Sequence, residues 1–192
     1  MHTWLHTGRL AVLAIAVACA PVAAQQTGTP PAPAAAAAPA ANPSDVASPE
    51  AIVTALYEVI TGPASQQRDW NRMRTLFLAD ARLAFVQPLR AGGTRLFSAN
   101  VEEFIRIAGP GYQQGAGFWE REIGHRIDRF GSIAHVFTAY ETRLTAPDGP
   151  VDDRGINSVQ LIRYQDRWWI TNLVFDAESP ENPIPPEYVN ER

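Results

Sequence analysis

From Ser48 onward the apolar positions recur at two different periods, and the change of period divides the folded part of the chain. Ser48-Pro49-Glu50 is a helix start with a mechanism. The serine hydroxyl caps free amides, the proline ring is preset for the first turn, and the glutamate meets the positive end of the helix dipole. Ile52, Leu56, Val59 and Ile60 follow at helical spacing until Gly62-Pro63 interrupts the run. Trp70, Met73 and Phe77, with Leu76 widening the stripe, predict a second, shorter helix ending near Asp80. Residues 82–87 and 94–97 flank Gly92-Gly93 and predict a small hairpin. Asn100 caps a third helix, Glu103 completes a capping box, and Val101, Phe104, Ile105 and Ala108 form its inner face before Gly109-Pro110 ends it.

Beyond residue 117 the period falls to two. Four antiparallel strands are expected near 118–129, 133–144, 155–164 and 167–176, with turns at Phe130-Gly131, Pro147 to Pro150 and Gln165-Asp166. Helices first and a meander last is the order of an α+β domain, with helices on one face of a curved, mostly antiparallel sheet. The glycine-rich loop 109–117 lacks the spacing of a dinucleotide fingerprint and follows a helix, so it reads as a connector or lid.

Before Ser48 the pattern differs again. Residues 1–24 have the form of a secretory signal: Arg9, the apolar run LAVLAIAVA, then Val22-Ala23-Ala24 before Gln25. The run is too short for a permanent membrane span, and export to the periplasm or medium is expected. The competing reading is a lipid anchor at Cys19; an N-terminus at Gln25 in the mature protein would exclude it. Residues 25–47, rich in Pro and Ala, carry too little apolar surface to offset their ordering entropy and read as a disordered spacer. The domain is expected over 48–178, with a Pro-containing tail at 179–192.

Composition removes several chemistries. All 16 basic residues are arginine, so mechanisms that need a lysine amine are excluded. Cys19 is the one cysteine, and only His125 and His135 lie beyond the leader, so no metal site or cysteine nucleophile is expected in the domain. No cofactor is called for. A net charge of −4, more negative once Arg9 is cleaved away, disfavours nucleic acid.

The segment DWNRMRTLFLADARLAF, a third short helix, then IAHVFTAYETR, RGINSVQLIRY and DRWWITNLVFD resembles the nuclear-transport-factor-two-like superfamily, which includes the SnoaL-like domains, over about residues 48–178. The resemblance implies a cone-shaped domain of three helices on a curved sheet, a pocket between them, and a possible homodimer. Members include steroid isomerases, dehydratases, epoxide hydrolases, polyketide cyclases and non-catalytic binding or assembly modules. Function therefore has to be argued from the site.

The expected turns place Glu120 opposite Glu141, Glu141 opposite Asn157, and Val159 opposite Asn172. One face then gathers Glu120, Glu122, Glu141, Asn157 and Asn172 above an apolar floor of Phe137, Ala139, Val159, Leu161 and Ile170. Neighbouring carboxyls over such a floor resist joint ionisation, which lifts one pKa toward neutrality, as a general base requires. Glu120 or Glu141 is the candidate base, and Asn157 or Tyr140 the group that holds a developing oxyanion. The rival reading pairs one glutamate with Arg143 or Arg154 near the strand ends, and a one-residue slip in register moves the cluster to the other face. His135 is a candidate proton shuttle or a hydrogen-bonded structural residue, on the side opposite His125. Tyr57, Tyr112 and Tyr140 offer hydroxyls to a bound carbonyl, and Trp70 and Trp169 seal a pocket mouth or a dimer surface. Three functions stay open: a pocket for a small apolar or mixed-polarity ligand, an isomerase- or dehydratase-type enzyme, and a dimeric assembly module.

Overall fold

The structure is a computed structural model that describes residues 40–189 except residue 90. The expected signal, Cys19 and the spacer up to residue 39 lie outside the described residues. Within them, order begins before Ser48. A 3-10 turn at Pro43–Val46 is capped by Asn42, and its buried Asp45 accepts a 2.7 Å hydrogen bond from Arg72 Nε. That ion pair and buried Val46 offset the ordering of a segment whose composition reads as spacer, so the spacer ends earlier than residue 47.

Helix α1 (Pro49–Ile60) starts as expected, with Ser48 Oγ accepting from Ala51 N, and buries Ile52, Val53, Leu56, Val59 and Ile60. The Gly62–Pro63 stop also forms a two-residue strand, β1. Helix α2 (Trp70–Leu76) is capped by Asp69 and ends earlier than the spacing predicts. Phe77 turns extended and opens strand β2 (Phe77–Pro88), where it pairs with Ile170 and is buried. Burial of that ring across the sheet overrides the helical period that Trp70 and Met73 set. Strand β3 (Thr94–Ala99) completes the hairpin, and α3 (Val101–Ala108) carries the expected capping box of Asn100 and Glu103. A 3-10 turn at Gly109–Gln113 leads into the meander of β4 (Gly117–Phe130), β5 (Ile133–Arg143), β6 (Asp153–Tyr164) and β7 (Arg167–Ala177).

The strands form one curved seven-stranded sheet in the order β1-β4-β5-β6-β7-β2-β3. All pairings are antiparallel except β2 with β7, which is parallel, with β3, α3, the 3-10 turn and strands β4 to β6 lying between them in the chain. The architecture is α+β, as expected. The helices do not all precede the sheet, because α3 follows the β2–β3 hairpin. Ile52, Leu56, Met73 and Leu76 from the helices meet Leu83, Val136, Val159, Trp168 and Ile170 from the sheet to form the core. Burying each large aliphatic contributes about 1.5–3 kcal/mol. The outer face of the sheet is covered in part by the tail, where Tyr188 packs edge-on against Phe137 with centroids 4.9 Å apart. Among the described residues no helix is long and apolar enough to cross a membrane.

Two bulges set the register. The β4–β5 turn falls on Gly131-Ser132, one residue later than expected, because Gly131 takes the positive φ of 54° that the first central position of the turn requires. That displacement alone moves the pairing by two and keeps each side chain on its face. A bulge between Glu122 and Gly124 then adds one residue, so Glu120 faces Thr142, and Glu141 faces Arg121. On the other side of β5, Asn157 pairs with Thr138 instead of Glu141. The β6–β7 turn is at Gln165-Asp166 as predicted, with both residues at positive φ, but a bulge at Thr171 places Asn172 opposite Gln160.

Candidate functional site

Helices α1, α2 and α3 do not cover the sheet completely. A cavity of about 530 Å³ remains between the C-terminal half of α1, α3, the 3-10 turn after it and the inner face of the sheet. Its walls are mostly apolar, with Leu56, Ile60, Met73, Phe104 and Ala108 from the helices and Leu83, Phe85, Leu173 and Phe175 from the sheet. The polar groups are few and gather on β4, β5 and β6: Glu120, Tyr140, Thr142 and Asn157, with Asp152 and Asp153 exposed at the mouth. Tyr57 reaches in from α1, and Tyr112 from the Gly109–Gln113 turn.

Glu120 is the chemical centre. Its backbone is fixed on both sides by Thr61, whose Oγ1 donates to the Glu120 carbonyl at 2.7 Å and accepts from its amide at 3.1 Å. Its carboxylate accepts from Thr142 Oγ1 at 3.1 Å. Burial pushes the Glu120 carboxyl up to about 7; hydrogen bonds from Thr142 and Asn157 counteract part of that rise, and the nearby Asp153 charge adds to it. A carboxyl that titrates near neutrality in an apolar space can gain or lose a proton at little cost.

A directed hydrogen-bond chain holds the floor beneath it. Thr138 Oγ1 donates to Glu122 at 2.8 Å, so Tyr57 donates its hydroxyl to Thr138 at 3.0 Å and accepts from Asn157 Nδ2 at 3.1 Å. Glu122 is closed off at the far end by His125 Nδ1 at 2.6 Å, a contact the β4 bulge creates by putting both side chains on the inner face. Burial, with the Glu120 charge second, holds the Tyr57 phenol well above its ordinary range, so the ring serves as a neutral hydrogen-bonding link. Tyr57→Phe is expected to lower stability by about 1–2 kcal/mol, because Asn157 and Thr138 each lose a buried partner; an unchanged urea midpoint would contradict the chain.

Of the residues singled out from the sequence, the structure brings Glu120, Asn157, Tyr140 and Tyr57 to one cavity. Gly155 makes room for Tyr140: a Cβ there would lie 2.4 Å from the tyrosine hydroxyl. Glu141 and Asn172 do not join them. The β4 bulge puts Glu141 on the outer face, where Arg121 and Arg143 Nη1, the latter at 2.7 Å, bind its carboxylate. Burial opposes ionisation there, but the two guanidinium groups prevail and hold that carboxyl below the usual range. This is the ion-pair reading weighed above, with Arg143 as one partner; Arg154 pairs instead with Glu178 at 3.3 Å. Asn172 is carried outward with Gln160 by the Thr171 bulge. His135 also faces outward and hydrogen-bonds Ser158 Oγ at 2.9 Å, on the side opposite His125. Trp70 stands behind the cavity wall, 5.7 Å from the Tyr112 ring and against Gly109. The expected floor changes likewise: Val159, Leu161 and Ile170 face inward, whereas Phe137 and Ala139 belong to the outer face, and Val136, Thr138 and Tyr140 take their place.

Thr142, Asp152, Asp153 and Phe118 were not singled out in the sequence. Thr142 and Phe118 continue the inner-face alternation of Tyr140 and Glu120, which would have marked them had the bulge been known. Among the described residues no group of three or more acidic, histidine or cysteine side chains is arranged to hold a metal.

Neither a family model nor a curated protein matches the sequence. Solved structures do match. A Nostoc punctiforme protein of unknown function with a cystatin-like fold is 12% identical and superposes with a TM-score of 0.51, covering 70% of this chain and 90% of its own. A ketosteroid isomerase candidate from Parabacteroides distasonis is 17% identical with a TM-score of 0.46, covering 69% and 89%. An NTF-2-like protein of unknown function from Silicibacter pomeroyi is 13% identical with a TM-score of 0.45, covering 67% and 92%. With its helices packed against a curved sheet around a cavity, the chain shares the cystatin-like fold of the Nostoc punctiforme protein.

Proposed function

We propose that the domain binds a small, mostly apolar molecule in the cavity, with the polar head of that molecule meeting Glu120. One observation carries this reading: the Glu120 carboxyl, titrating at about 7, is built into the wall of a mostly apolar space of about 530 Å³. A protein with no use for that space gains several kcal/mol by filling it, because empty apolar volume forfeits packing. Under the same proposal the leader at residues 1–24 exports the domain, so the ligand is met outside the cytoplasm.

Filling the space tests the reading. Ala108→Trp places an indole among Phe104, Tyr112 and Phe118 and is expected to abolish binding of a neutral solvatochromic dye such as Nile red, with little loss of stability. Equal dye fluorescence from the wild type and the filled variant would remove the proposal.

A second reading, proton transfer of the isomerase or dehydratase type, is favoured by a different observation. Tyr112 and Tyr140 line the cavity together with Glu120, which supplies phenol donors for a ligand oxygen in the same space as a base. Exchange of a carbonyl compound's α-hydrogens in heavy water, lost in Glu120→Gln, distinguishes this reading from binding alone.

A further inference from the structure

The charged groups around the cavity are all of one sign. Glu120 lies inside and Asp152 and Asp153 stand at the mouth, and no arginine or histidine is among the described residues that line it. Behind the Tyr112 ring, 6.0 Å from its centroid, lies the guanidinium of Arg68. All five of its N–H groups are taken by main-chain carbonyls, those of Ile60, Gly62, Pro63, Gln66 and Tyr112, at 2.6–3.4 Å. It has no donor left for an anion. Arg121 and Arg143 are committed to Glu141 on the opposite face, and Arg154 to Glu178. An anionic head entering this space would be desolvated beside three carboxyls with no lining cation to meet it, which is unfavourable.

The same surroundings suit a cation. Around Glu120 the walls carry the rings of Tyr57, Tyr112, Phe118 and Tyr140, with Tyr112 and Phe118 packed edge to face at 4.9 Å, and ring faces attract cations in a dry site. The phenol oxygens of Tyr112 and Tyr140 accept hydrogen bonds as readily as they donate them. An ammonium ion in this space therefore has the Glu120 carboxylate as its anionic partner, and the lining carries two phenol oxygens as further acceptors. Asp152 and Asp153 at the mouth attract a cation on approach.

We propose that the ligand is a lipophilic primary amine, bound as its ammonium ion by Glu120, Tyr112 and Tyr140, with its hydrocarbon body along Leu56, Phe104 and Leu173. This identification rests on the binding reading above. It asks of the cavity a preference for charge that binding alone does not.

The test uses three probes with one hydrocarbon body and different heads, phenylbutylamine, phenylbutanol and phenylbutyrate, titrated calorimetrically into the full-length protein at a pH where the amine is protonated and the acid ionised. The amine is expected to bind at least about tenfold more tightly than the alcohol, and the acid more weakly than either. Glu120→Gln is expected to bring the amine down to the affinity of the alcohol while the alcohol is retained, which also reports that the variant is folded; the wild-type ranking stands as a separate test should that variant fail to fold. An amine that binds no better than the alcohol overturns the cationic assignment and leaves the binding reading in place. Binding by none of the three overturns both.

Discussion

Replacing Arg68 with methionine is expected to lower the stability of the domain by about 3 kcal/mol or more, a fall in Tm of roughly 6–12 °C for a chain of this size. Arg68 is 4% exposed and has no carboxylate partner among the described residues. It serves as a rigid hub whose guanidinium plane takes the carbonyls of Ile60, Gly62, Pro63 and Gln66 and, across the fold, that of Tyr112. The chain turns out of α1 there with only the two-residue β1 pairing and the Gln66 amide, which donates to the Pro63 carbonyl at 3.0 Å, to share those carbonyls, and Gly62 holds a φ of 145° that residues with a side chain rarely adopt. Methionine fills much of the volume but leaves the acceptors unpaired where water reaches them poorly. Arg68→Lys is expected to recover only part of the loss, because an ammonium is a point donor and cannot span five carbonyls around a plane. Thermal unfolding of both variants checks this; a methionine variant that melts with the wild type would mean that the loop satisfies its carbonyls without the guanidinium. Because Arg68 also holds Tyr112, the same substitution is expected to loosen the cavity wall and weaken dye binding.

The second large effect concerns Glu120 and pH. Its folded-state pKa of about 7 lies above the ordinary value of 4.5, so between those values the folded protein keeps a proton that the unfolded chain has released. A raised carboxyl pKa contributes stability that is fully present below about 4.5 and is lost as pH rises through 7. Over that window the loss is on the order of 3 kcal/mol. Glu120→Gln carries no such proton, so its stability is expected to exceed that of the wild type above neutrality and to lack this downward slope. Urea midpoints of both proteins across the window measure the difference, in which the contributions of other carboxyls, Glu141 with its opposite shift among them, cancel. Carbon-13 titration of the Glu120 carboxyl gives the midpoint directly. A midpoint near the ordinary carboxylate value, or parallel stability curves, would remove Glu120 as an acid–base group and leave a simple hydrogen-bonding side chain beside Thr142.

Much of the fold was legible in the residues. The caps at Ser48 and Asn100, the limits of the four meander strands within two residues, and the Gln165-Asp166 turn depend on chemistry that acts over three or four positions, and these are as expected. The second helix was overextended because Phe77 continues a helical period as well as it opens a strand, and its partner Ile170 is far along the chain. The site was only partly legible for a related reason. Glu120, Asn157, Tyr57 and Tyr140 are recognisable by residue type, but Glu141 and Asn172 share that type and stand outside the cavity, each displaced by a single inserted residue in a neighbouring pairing.

By itself, the sequence determined the order of helices and strands, the absence of any lysine, and the supply of acidic, amide and phenolic groups in the meander. Those follow from local propensity, periodicity and composition. Only the tertiary structure decided which glutamate lines the cavity and which is paired with arginine, because in a sheet a one-residue bulge exchanges the two faces, and whether a bulge forms depends on packing between strands rather than on the residues it contains.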